Sequence, residues 1–138
     1  MLEERQCEPG EGWATLGYLD GKTQQIHLAR FSPYAPDLTV ALGAPSPQGG
    51  KATRMLIPAE RLAYVAFHRR NSDVGKPTGA KARNSLKVHV AGGHSFVVVP
   101  PNKETQDAVG FYAEAWDLDH SYREFFFYSH GVNVKEIN

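Results

Sequence analysis

The sequence predicts a mainly β protein, a tandem duplication of a five-stranded small barrel with little helix. Three observations predict it. Short apolar runs alternate with period two along most of the chain, as half-buried strands do. Turn dipeptides and prolines punctuate these runs at short intervals. The pattern written as "LGYLDGKTQQIHLA" (16–29) restarts as "LKVHVAGGHSFVVV" (86–99).

The elements follow in order. Residues 1–12, "MLEERQCEPGEG", lack an apolar period and read as a disordered tail. Order begins near Trp13. "ATLGYL" alternates, "DG" is a hairpin dipeptide whose two residues tolerate positive φ in a type I′ turn, and "KTQQIHLARF" returns with Ile26 and Leu28 on one face. "SPYAP" interrupts the ladder, because proline has no N–H to give. "DLTVAL" is a short strand, and "GAPSPQGG" is a loop by composition. "ATRMLIP" and "LAYVAFH" are strands joined by "PAER", which suits one turn of 3₁₀ helix. Tyr18 and Tyr64 are expected in the core of this first unit. Residues 69–85 hold no hydrophobic period and read as a basic linker.

The second pass runs over 86–138. "LKVHVA" places Val88 and Val90 on one face, "GG" turns and "HSFVVV" returns. "PPNKETQD" breaks, "AVGFYAEAW" is apolar and aromatic, "DLDHSY" turns, and "REFFFYS", "HG" and "VNVKEI" complete the unit. A shift of 72 lays Leu16 on Val88, Tyr18 on Val90 and Gly21 on Gly93. A shift of 70 lays Leu62 on Val132, Tyr64 on Val134 and Phe67 on Ile137. Internal repetition of this kind predicts two units, 13–68 and 86–138. Each reads as a hairpin, a third and fourth strand, a one-turn link and a fifth strand, the order of an SH3-like or Sm-like barrel. Units so small are marginal alone, so the two are expected to share an apolar seam.

Composition excludes several classes. The formal net charge is zero, from 15 basic and 15 acidic residues, which gives no bulk attraction to nucleic acid or membranes. Cys7 is the single cysteine, so no intrachain disulfide framework exists. No apolar run approaches the ~18 residues of a membrane span, and the N-terminus lacks the apolar stretch of a signal peptide. A cytoplasmic location is expected.

Chemistry-bearing motifs are sparse. Six histidines occur, but none has zinc-site spacing, and only His89 and His94, flanking a hairpin turn, could meet across strands. No metal or cofactor is expected. There is no G-x-S-x-G elbow, and Asp117 and Asp119 in "DLDHSY" suit a turn, where Asp bonds its own backbone. The reading is of a protein that is not an enzyme. Arg69, Arg70, Lys76, Lys81 and Arg83 form one local basic stretch. It is either a solvated linker or an anion site for nucleic acid, an acidic partner or a cyclic dinucleotide. Its arginines lack the R-x-x-x-R spacing of cyclic-di-GMP receptors. "FFFY" sets Phe125 and Phe127 on one face of a strand and Phe126 and Tyr128 on the other, so both faces must be covered. Phe126, Tyr128, and Phe31 and Tyr34 in "FSPYAP" are the partner-contact candidates, with packing between the units as the other use for them.

"GYLDGKTQQIHLARFSPYAPDLTVAL", "RMLIPAERLAYVAFHR" and "GFYAEAWDLDHSYREFFFYSHGVNVKEI" together resemble an uncharacterised family of duplicated small β-units in proteobacteria. Its pattern is a strand, "YxDG", a strand, "FxPxxPxFxL", a loop, then "hxxLxxVxFxR", with an aromatic strand in the second copy. The second copy here departs from it, with "AGG" for "xDG" and no "FxPxxP". The resemblance implies association with the N-terminal regions of bacterial secretion and type IV pilus assembly ATPases, hence a regulatory or protein-docking role with a component of such a machine as partner. It brings no catalytic residues. The end of the chain after "VNVKEIN", at the close of a strand, would suit an excised N-terminal domain of a larger protein or equally a small protein standing alone. The alternative is an Sm-like module that binds nucleic acid or a cyclic dinucleotide through the basic linker.

Overall fold

The computed structural model describes residues 2–6, 12–42, 54–68, 85–99 and 106–137, with side chains as far as Asn133. The described chain is mainly strand. The strands are β1 (Arg5–Gln6), β2 (Trp13–Tyr18), β3 (Thr23–His27), β4 (Arg30–Phe31), β5 (Asp37–Ala41), β6 (Arg54–Pro58), β7 (Leu62–His68), β8 (Leu86–Val90), β9 (Ser95–Val98), β10 (Gly110–Trp116), β11 (Tyr122–Tyr128) and β12 (Val132–Ile137). Two 3₁₀ turns, Ala59–Arg61 and Ser129–Gly131, occupy matched places in the repeat and lead into β7 and β12. The aromatic segment before Trp116 is strand throughout β10, as its ring content favours.

Ten strands form one antiparallel sheet in the order β12-β8-β9-β10-β11-β7-β2-β3-β5-β6. The first five and the last five follow one rule, in which the last strand of the set lies beside its first. The seam between the sets is β11 against β7, with Phe125 opposite Ala66 and Phe126 opposite Val65. Among the described residues the sheet does not close: β12 and β6 are its two edges. The expected closure into barrels is corrected here. Each set instead uses its outer strand in a common sheet.

Hydrogen bonds outside the ladders recur at corresponding places. Tyr18 N–H donates to Lys22 O at 2.9 Å and Gly21 N–H to Tyr18 O at 3.0 Å; Val90 N–H donates to His94 O at 3.0 Å and Gly93 N–H to Val90 O at 3.4 Å. Each hairpin is therefore a three-residue loop ending on a glycine. Gly21 and Gly93 have φ +91° and +96°. Asp20 has no positive φ, so the type I′ reading of "DG" is corrected: the Asp carboxylate instead accepts from Lys22 N–H at 2.9 Å. Leu19 N–H reaches Arg61 O at 2.9 Å, and Ala91 N–H reaches Gly131 O at 2.8 Å, tying each hairpin to its own 3₁₀ turn. The two hairpin tips also touch, with His94 Nε2–H donating to Gly21 O at 2.9 Å.

Two cores result, on opposite faces of the seam. The first holds Leu16, Ile26, Leu28, Phe31, Leu38 and Ile57 from the first half together with Tyr112, Phe126 and Tyr128 from the second. The second holds Val88, Val90, Phe96, Val98, Phe125 and Phe127 together with Ala63, Tyr64 and Ala66 of β7. Alternation along "FFFY" thus feeds both cores, and neither face of β11 is open. Tyr64 faces the second core, against the expectation that it joins the first. β7 is buried on both faces, so its continuous apolar run carries no alternation from which to choose a side.

Residues 2–6 are not a free tail. Leu2 is buried, β1 pairs with β4, Arg5 Nε bonds Glu124 Oε1 at 2.9 Å, and the Arg5 guanidinium lies 3.9 Å from the centre of the Tyr112 ring. Tyr112 Oη–H donates to Glu3 O at 2.6 Å. The strap covers the first core where rings from both halves converge, which a segment without apolar period does not announce.

Candidate functional site

A concave feature lies where the halves meet. It is a groove of about 350 Å³. Pro33, Tyr34 and Ala35 form one wall; Ala108 and Val109 form the other, and Tyr128 and His130 lie at its base and end. Local sequence explains the walls. "SPYAP" cannot continue a ladder, and the chain turns there, with Ala35 N–H on Ser32 O at 3.3 Å and Ala59 N–H on Pro36 O at 2.8 Å. Opposite, Ser129 N–H bonds Val109 O at 2.9 Å, and Asp107 caps the bend by accepting from Val109 N–H at 2.8 Å.

The groove is apolar with a few placed polar groups. The Tyr34 hydroxyl donates to Asp107 and accepts from Leu2 N–H at 2.7 Å, so its ring is held while 42% of the residue stays exposed. The bond from Tyr34 holds the Asp107 carboxyl below the usual carboxylate range. His130 stacks on Tyr128 with centroids 5.2 Å apart and donates from Nε2 to Leu62 O at 2.7 Å. Tyr128 is 2% exposed, and its hydroxyl has no hydrogen-bond partner among the described residues. Burial drives its phenol well above the tyrosine range, so it stays a neutral donor.

Of the partner-contact candidates, Tyr34 alone is exposed. Phe31 and Phe126 are fully buried in the first core and Tyr128 is buried at the groove floor, so for Phe31 and Phe126 the packing use is the one observed. Arg69, Arg70, Lys76, Lys81 and Arg83 lie outside the described residues. His89 Nδ1 pairs with Ser95 Oγ at 2.7 Å, and His94 is engaged with Gly21 as above, so each ring points to a different neighbour.

A second polar cluster is not legible in the sequence. It brings Thr15 of β2, His68 of β7, Asp117 of the β10–β11 turn and Arg123 of β11 together. Thr15 Oγ1 lies 2.7 Å from His68 Nε2, Asp117 Oδ2 lies 3.7 Å from the same nitrogen, and Arg123 holds Asp117 at 3.1 Å and Asp119 at 3.0 Å. A catalytic relay needs the base addressed on one ring nitrogen by the nucleophile and on the other by the carboxylate. Here both partners crowd Nε2, and the cluster braces three strands and a turn. The pairing of β2 with β7 at Trp13–His68 makes it, and that register joins the two ends of the first half.

Burial, and next the Arg123 guanidinium, hold the His68 imidazole below its ordinary range. The unfolded state then takes up the proton first. This contribution to stability is therefore complete above the unfolded value of about 6.5 and is lost as pH falls from there through the lower folded value. An NMR titration of His68 is expected to show a midpoint below the unfolded one. A midpoint at or above it contradicts the assignment.

Among the described residues no helix is long and apolar enough to cross a membrane. Comparison of the chain with protein-family models, with curated proteins and with solved structures finds no match.

Proposed function

We propose that this chain is a non-catalytic docking domain, made from a duplicated small β-unit of SH3-like or Sm-like ancestry, whose seam groove takes an anchoring side chain of a protein partner. The observation that carries it is the groove itself: preformed, built from both halves and mostly apolar. Anchor pockets in protein interfaces have this composition. Duplication is supported by the repeated strand order, the two 3₁₀ turns at matched places and the matching hairpin bonds. The resemblance in the sequence directs the reading to a component of a bacterial secretion or pilus assembly machine, with this domain regulating or docking its ATPase.

The test is a photo-reactive amino acid at Ser129, exposed at the groove, in host cells. A covalent product with a secretion or pilus component is expected. Ala108→Glu, an exposed substitution that fills the opposite wall, is expected to reduce it about tenfold, the effect of about 1.4 kcal/mol. A product that is absent, or indifferent to the substitution, overturns the reading.

A further inference from the structure

The seam between the halves has two unused counterparts. β11 is the fourth main strand of the second set and β7 the fifth of the first. The strands in the same places of the opposite sets are β6 and β12, and among the described residues these are the two edges. One edge is thus of the type that supplies the β11 side of a seam, and the other of the type that supplies the β7 side. They are complementary, and neither is self-complementary by this rule.

Side chains on β6 point the same way. At the seam, Phe126 leaves its own half and enters the core of the other, where it is fully buried. The shift that lays Leu62 on Val132 lays Leu56 on Phe126. Leu56 is 64% exposed at the edge, with Met55 beside it at 40%. Ile57, like its counterpart Phe127, turns into the core of its own half. Leu56 is the residue that has a counterpart inside a core but no core to enter. An edge strand with exposed apolar side chains is a ready template for another strand.

We infer that copies of this chain associate head to tail, β6 of one adding antiparallel to β12 of the next, with Leu56 as the anchor in the second core of that next copy. This rests on the repeat and not on the groove or its partner. The register of the seam, Phe125 opposite Ala66 and Phe126 opposite Val65, carries over to Met55 opposite Glu136 and Leu56 opposite Lys135 of the next copy. The match is incomplete in two places: Lys135 and Glu136 stand where the seam has Val65 and Ala66, and the 3₁₀ turn differs. Gly131, which packs on the Ala63 backbone, corresponds to Arg61, so the ladder between chains must open at the 3₁₀ turn. The contact is therefore weaker than the seam within the chain and depends on concentration. Being heterologous, it yields a ring if the rotation closes and a filament if it does not.

Sedimentation of the full chain over a dilution series is expected to show species of two or more chains that dissociate on dilution. Leu56→Lys places a charge on the edge at a position already exposed. It is expected to leave the far-UV spectrum and melting temperature unchanged and to give monomer at every concentration. With Cys7 replaced by serine, oxidation of the double variant Leu56→Cys, Lys135→Cys is expected to give a ladder of covalent multimers, and each single variant none. A wild type that is monomeric throughout, or a Leu56→Lys variant that assembles as before, overturns the inference. So do covalent dimers from Leu56→Cys alone, which would mean that β6 pairs with β6. None of these outcomes depends on the cross-linking at Ser129.

Discussion

Phe126→Ala is expected to destabilise the fold by about 3–5 kcal/mol, the usual cost of emptying a phenylalanine site in a core. The ring is fully buried and lies 5.3, 5.0 and 5.0 Å from the rings of Phe31, Tyr112 and Tyr128. These neighbours come from three strands of both halves, so the cavity cannot collapse by moving one of them. At roughly 4 °C per kcal/mol for a chain of this length, the melting temperature should fall by about 12–20 °C. Phe125→Ala should cost a similar amount on the opposite face, where Tyr64, Phe96 and Phe127 surround it at 5.6, 5.1 and 5.2 Å. The informative result is which half responds. β11 lies in both cores, and its ladder to β7 joins the sets. Each substitution should therefore lower the denaturation midpoint seen at Trp13 and the one seen at Trp116 together, in single-tryptophan variants. A Phe126→Ala variant that shifts the Trp13 signal and leaves the Trp116 signal in place would show two independent halves and refute the shared seam.

The same residues show what a single sequence can and cannot disclose. The demand that both faces of "FFFY" be covered follows from alternation alone, and it holds. The hairpin glycines are legible because positive φ singles out glycine, and Gly21 and Gly93 occupy matched places. Which neighbour covers each face is not legible. β7 is apolar at Leu62, Ala63, Tyr64, Val65, Ala66 and Phe67, and a strand buried on both sides has no polar phase to orient it. Tyr64 consequently lies in the core opposite to the one its place in the first unit suggests. Closure into barrels fails as an expectation for a related reason: the order of strands within a unit is local information, whereas the partner of the last strand is not. The candidate groove is half visible, since Tyr34 and Tyr128 stand out by ring and proline context. Its other wall, Ala108 and Val109, has no distinctive chemistry and is placed only by long-range pairing. The Thr15–His68–Asp117–Arg123 cluster is the extreme case, since four ordinary residues from distant segments meet only after the sheet registers.

Gly131→Ala is expected to be nearly as damaging as a core truncation, although it adds one methyl group at a turn. A Cβ there would stand 2.5 Å from Ala63 Cα, 2.9 Å from Ala63 Cβ and 3.1 Å from Ala63 O. The closest of these is backbone at the start of β7, with Leu62 O and Leu19 N–H also engaged by neighbouring turns. Neither side can retreat easily, because Gly131 O accepts from Ala91 N–H at 2.8 Å and would drag the second hairpin with it. The cost should reach about 3 kcal/mol, the upper end for overpacking. Ala63→Gly in the same chain removes the Ala63 methyl group but not the closer backbone carbon, so it should restore little. Gly93→Ala is the control. A Cβ there meets nothing within 4 Å, and the penalty is only that of φ +96° for an alanine, on the order of 1–3 kcal/mol. Thermal melts of the three variants separate the two causes. Full rescue by Ala63→Gly would place the clash at the Ala63 methyl group and not at the backbone. If Gly131→Ala melts with the wild type, the close approach of the 3₁₀ turn to β7 is not what requires glycine there. In that case the tie from the second hairpin through Gly131 to the seam loses its structural basis.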